Sequence, residues 1–115
     1  MQLEVHNQKL EKLLNNPDKL ITKIGLDMTK MLKRRLNEMK AAPNFKDYIN
    51  YGLGKPHALT GNLDKMYGIN LNKNYRLIVE PLVALLNDEN LKECKNINIK
   101  GVVDYHDGKN EWLIP

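Results

Sequence analysis

Apolar residues return every three or four positions in the first part of the chain and every second position in the later part. The alternation of Leu3 and Val5 with polar neighbours predicts a short opening strand over Gln2–His6. Leu10, Leu13 and Leu14 then recur at helical spacing, which predicts a short first helix over Gln8–Leu14. Asn16 reads as an N-cap and Pro17 as the first residue of a second helix, where its missing N–H costs nothing. Leu20, Ile21, Ile24, Met28, Met31, Leu32, Leu36 and Met39 form one apolar stripe along it, with Lys19, Lys23, Lys30, Lys33 and Arg34 mostly off the stripe. Pro43 stops this helix, and Asn44–Tyr51 has room for one more helical turn.

The period changes after the loop Gly52-Leu53-Gly54-Lys55-Pro56. Met66–Leu71 alternates as a strand, and Tyr75–Glu80 is a second strand, ended by Pro81. Between them Asn72-Lys73-Asn74 reads as a tight turn, because asparagine tolerates positive φ. Leu82–Lys95 reads as a loop or a short helix. Ile97, Ile99, Val102 and Val103 mark the last long strand, which ends near Asp104-Tyr105-His106. Asp107-Gly108 is a turn signal, and Glu111–Pro115 a short terminal strand.

A strand, two helices and then a run of strands predict an α+β fold, with the helices packed on one face of a mostly antiparallel sheet. The other face would be partly open, and it is the place to look for function. The 115 residues suit a single domain spanning 1–115. Composition changes this picture little: hydrophobic residues are 42% and charged residues 28%, ordinary for a globular chain. One cysteine, Cys94, allows no internal disulfide and favours a reduced, cytoplasmic setting. The start has no basic and apolar leader, and the apolar run Leu82–Leu86 is far too short for a membrane helix. Charge is uneven. Residues 1–80 carry 14 Lys/Arg and 8 Asp/Glu, residues 81–115 carry 4 and 6, so an anion-binding surface should draw on the first two thirds.

Candidate chemistry lies in the strand half. His57 is in the loop leading to the sheet, Arg76 is inside a strand, and Asp104-Tyr105-His106 closes the last long strand. Strand alternation puts Asp104 and His106 on one face and Tyr105 on the other. Histidines and an arginine around one cleft are what RNA cleavage without a metal requires. A base helps the 2′-OH attack the adjacent phosphorus, an acid protonates the departing 5′ oxygen, and a guanidinium steadies the phosphorane charge. Arg76 could equally pair a carboxylate such as Glu80 or Asp104. His6, His57, Cys94 and His106 show no zinc-like spacing, so no metal and no cofactor is expected. The lysine-rich helix face reads first as a solvated surface.

Four stretches carry a resemblance: Gly54 to Leu63, Tyr67-Gly68-Ile69, Asn74 to Pro81, and Val102 to His106. In order and spacing they resemble the HigB-like plasmid maintenance system killer proteins of the RelE/ParE toxin superfamily. The tail Glu111–Pro115 is similar to that of one subgroup. The resemblance implies a RelE-like fold and a type II toxin that cuts mRNA on the ribosome without a metal. It also implies a cognate antitoxin, a small helix-turn-helix protein. By the resemblance His57 and His106 share proton transfer or substrate positioning, Asp104 orients His106, Tyr105 packs or stacks, and Arg76 contacts phosphate. The family often has a lysine where this chain has Thr60, and Lys55 and Lys65 are the nearby phosphate-binding candidates to replace it. Two alternatives share the fold: a ParE-like toxin that binds DNA gyrase, and a non-toxic, antitoxin-bound regulator.

Overall fold

Four of the five helices open on an asparagine whose side-chain oxygen accepts a backbone N–H three residues on. The computed structural model describes residues 1–115. In chain order they form β1 (Gln2–Glu4), α1 (Gln8–Leu14), α2 (Pro17–Ile24), α3 (Leu26–Ala41), α4 (Phe45–Tyr51), β2 (His57–Ala58), a 3₁₀ turn (Gly61–Leu63), β3 (Tyr67–Asn70), β4 (Tyr75–Pro81), α5 (Asp88–Glu93), β5 (Asn96–His106) and β6 (Lys109–Ile114). Asn7, Asn16, Asn44 and Asn87 are the caps.

The long second helix is in fact two. Gly25, at φ +84 and ψ 164, breaks it between α2 and α3. The carbonyl of Gly25 accepts the N–H and the hydroxyl of Thr29, so the glycine restarts the helix that it interrupts. The apolar stripe runs on across the break, which hides it from periodicity, and Ile21 turns outward.

The sheet order is β1-β5-β4-β3-β2, with β6 also paired to β5. All pairs are antiparallel except β1 with β5. The fold is thus α+β as expected, with one parallel pair at the amino-terminal strand. Pro81 does not end the pairing before it. It is the last residue of β4 and still lies opposite Ile97. Nor does the β3–β4 turn use positive φ at asparagine. The Asn72 side-chain oxygen accepts the N–H groups of Asn74 (2.8 Å) and Tyr75 (2.6 Å) instead. The β5–β6 turn does use it, with Asp107 at φ 49 and Gly108 at φ 74, the pattern of a type I′ hairpin.

The helices cover one face of the sheet. Their core holds Leu10, Leu20, Leu32, Met39, Phe45 and Tyr48 against Ile69, Leu77, Val79, Ile97 and Val102. Ile78 and Val103 are also fully buried but stand apart from that core, on the opposite face. Phe45 meets Tyr67 edge-on, with ring centroids 5.0 Å apart.

The hydroxyl of Tyr48 is buried with no hydrogen-bond partner, and burial pushes its pKa up to about 12. An unmade buried hydrogen bond is costly, so Tyr48→Phe is expected to raise stability by about 1 kcal/mol at neutral pH. In the unfolded chain this tyrosine ionises near 10, in the fold only near 12, so wild type loses stability as pH rises through that window. Denaturant melts at pH 7 and pH 11 should show the advantage of the variant widening by about 1.4 kcal/mol per pH unit above 10.

Candidate active site

The register of β4 on β5 sets Arg76 opposite Val103, so the Arg76 side chain leaves the sheet on the face of Val103 and Tyr105. The Arg76 guanidinium carbon lies 3.9 Å from the centre of the Tyr105 ring. Such stacking contributes on the order of 1 kcal/mol, but its larger effect is geometric. It holds the guanidinium over the ring, and no hydrogen bond or ion pair to another side chain occupies its N–H groups.

His57 reaches the same face from two strands away. In β2 it pairs with Gly68 of β3, which in turn is opposite Ile78. The ring lies over Gly68: a Cβ there would meet His57 Nε2 at 3.1 Å and Leu59 Cδ2 at 3.3 Å. The missing side chain makes the room. His57 Nδ1 is 2.9 Å from the Lys55 carbonyl oxygen. That oxygen can only accept, so Nδ1 carries the proton and Nε2 of the neutral ring is left as a free acceptor. Lys55 itself sits in the left-handed region, at φ 49.

Asp104 and His106 come together on the other face of β5. His106 Nδ1 is 3.7 Å from Asp104 Oδ1, and Nε2 is 3.6 Å from Glu111 Oε1 of β6. These are ion-pair distances, too long for hydrogen bonds. Glu111 was not singled out by the sequence. Its partnership depends on a hairpin register that puts it opposite Asp104. Alternation therefore splits the expected constellation: His57, Arg76 and Tyr105 share the open face, while Asp104 and His106 meet on the other face, at the carboxyl end of β5. His106, the last residue of β5, is 43% exposed at that rim.

A cleft of about 430 Å³ separates Thr60, Asn62 and Leu63 from the hairpin residues Gly108–Trp112. Thr60 lines it. Lys55 and Lys65 do not; the cation in its wall is Lys109. No three or more His, Cys, Asp or Glu residues are grouped to hold a metal ion. A second groove, of about 670 Å³, is lined by Lys9, Lys12, Lys19 and Lys23 of α1 and α2, and none of these four lysines is in an ion pair. Cys94 is buried, and burial raises its thiol pKa, so it is not a nucleophile.

Residues 3–93 match the profile of the HigB-like toxins, described as RelE-like toxins of the type II toxin–antitoxin system HigB. The chain belongs to that family. The matched span contains the HigB-like chain's His57 and Arg76 and stops before Asp104-Tyr105-His106 and β6. No curated protein matches it. Among solved structures, the YoeB–YefM complex from Staphylococcus aureus is similar in fold: TM-score 0.53 and 21% identity, over 92% of the HigB-like chain and 97% of the other. The RelE-like fold expected for a HigB-like toxin is thus the fold observed. No helix is long and apolar enough to cross a membrane.

Proposed function

We propose that this type II toxin is an endoribonuclease that cuts mRNA in the cytoplasm, on the ribosome, without a metal ion. The observation that carries the reading is the shared face of His57, Arg76 and Tyr105, with Nε2 of His57 free and the guanidinium held against the tyrosine ring. His57 Nε2 takes the proton of a 2′-OH, and the 2′ oxygen forms a bond to the adjacent phosphorus. Arg76 stabilises the charge that develops on the phosphoryl oxygens. The bond to the 5′ oxygen breaks, leaving a 2′,3′-cyclic phosphate and a 5′-OH. His106, flanked by the carboxylates of Asp104 and Glu111 at the rim of the sheet, is the group we assign to give that oxygen its proton. Lys55 and Lys65 lie on the segment around His57 and add positive potential to the approach of RNA. The basic bias of residues 1–80 also suits an acidic partner chain, so we assign the protein a cognate antitoxin with a helix-turn-helix domain.

The experiment is mRNA mapping in a translation extract charged with purified toxin, with EDTA present in a pre-initiation step and with naked RNA as a second substrate. Wild type should cut translated mRNA, and naked RNA far less. His57→Ala and His106→Ala should each slow cutting by about 10²–10⁴. An intact message at wild-type toxin levels would sink the nuclease reading. Blocked DNA supercoiling in its place would favour a gyrase-binding toxin.

A further inference from the structure

The β5–β6 hairpin lies beyond the family-matched residues, yet it builds one wall of the cleft beside the proposed site. Trp112 is opposite Val103, so its side chain stands on the face of Arg76, Tyr105 and His57. It is 44% exposed, a large apolar ring left in water on an otherwise polar wall. Asn62 from one side and Asn110 from the other add amide groups, each able both to donate and to accept. Lys109 is the cation, and Glu111, the one acid lining the cleft, already faces His106.

We propose that this cleft is a nucleotide-binding subsite, in which Trp112 stacks an unpaired RNA base and Lys109 meets the neighbouring phosphate. A half-exposed aromatic plane flanked by amides and a cation matches the chemistry of single-stranded RNA: a π-face, hydrogen-bonding base edges and a charged backbone. An acidic protein segment would use the lysine but not the ring. Lys109 also puts a positive charge across the cleft from Thr60, which has none. The assignment rests on the RNA-cleaving reading, because it is the face shared with His57 and Arg76 that makes RNA the expected occupant.

Trp112 is the only tryptophan in the chain, so the emission comes from this residue alone. The test titrates the whole protein with a 2′-O-methyl hexanucleotide, which cannot be cut, and follows tryptophan fluorescence together with the anisotropy of a labelled oligonucleotide. Binding should quench the emission. Trp112→Ala should weaken binding about tenfold, and Trp112→Phe, which keeps a ring, much less. Lys109→Gln should reduce the salt dependence by roughly 0.7 in log–log slope. Thermal melts of each variant show whether it is folded, and the quenching of wild type is independent of them all. The proposal is overturned if the oligonucleotide binds without changing the emission, if it does not bind, or if folded Trp112→Ala binds as wild type does. It also fails if poly-glutamate quenches as strongly as RNA, which would assign the cleft to an acidic protein. Quenching by the oligonucleotide with no cleavage of natural mRNA would remove the nuclease reading and leave the subsite standing.

Discussion

Arg76→Ala is expected to lower mRNA cleavage by about 10²–10³-fold, the usual cost of deleting one positioned charge from a transition state. The fold should survive it. Arg76 is at the partly exposed end of β4, and the stacking lost is worth on the order of 1 kcal/mol. Arg76→Lys tests the geometry: a lysine keeps the charge but does not present the planar fork of paired N–H groups, so it should restore only part of the rate. Tyr105→Phe keeps the ring and should stay near wild type. Cleavage timed on translated mRNA, beside a thermal melt of each variant, checks all three. Full activity of folded Arg76→Ala would remove Arg76 from the chemistry.

The second large effect falls on stability. Gly54 has φ +72, and its carbonyl accepts the N–H of Asn70 at 2.7 Å. A Cβ there would come within 2.6 Å of Ile69 Cγ2 and 2.8 Å of Arg35 Nε. Arg35 has little room to give, since its Nε donates to the Asn70 carbonyl and its guanidinium pairs with Glu38 at 2.7 Å. Backbone strain of about 1–2 kcal/mol and overpacking of about 1–3 kcal/mol therefore add up at one residue. Gly54→Ala should cost about 3 kcal/mol. Gly52→Ala is the control: φ is +74, but nothing lies within 4 Å of the added methyl, so only the strain remains. Denaturant melts of the two variants should differ by about the overpacking share alone. Cleavage should fall further in Gly54→Ala, because the same segment carries Lys55, whose carbonyl sets the tautomer of His57.

The parts of this protein legible in its sequence are those set by local pattern. Periodicity placed β1, β3, β4 and β5, proline placed the start of α2, and Asp107-Gly108 placed the hairpin turn; the two-residue β2 has no period to read, so His57, expected in a loop, lies in a strand instead. The break at Gly25 was not legible, since one non-helical residue leaves the apolar stripe nearly in phase on both sides. The caps Asn7, Asn44 and Asn87 carried a readable signal, an asparagine just before a helical run, whereas the bonding of Asn72 looked like a tolerance for positive φ. Site residues were legible as residue types and not as a constellation. Alternation already separated Tyr105 from Asp104 and His106, but which face Arg76 joins depends on a register between strands some 25 residues apart, and no local pattern carries that. Trp112, Lys109 and Glu111 reach the cleft only through the pairing of β6.

Strand β5 touches β1, β4 and β6, and β1 pairs with it across more than ninety residues of chain. Contacts so distant along the polymer form late, after the intervening segments have been made. During synthesis Arg76 emerges before Tyr105, and Trp112 later still, so the face proposed to cut RNA has no counterpart in the unfinished polypeptide. On the nuclease reading proposed above, the nascent toxin is inactive toward messages until β5 and β6 have been made and paired.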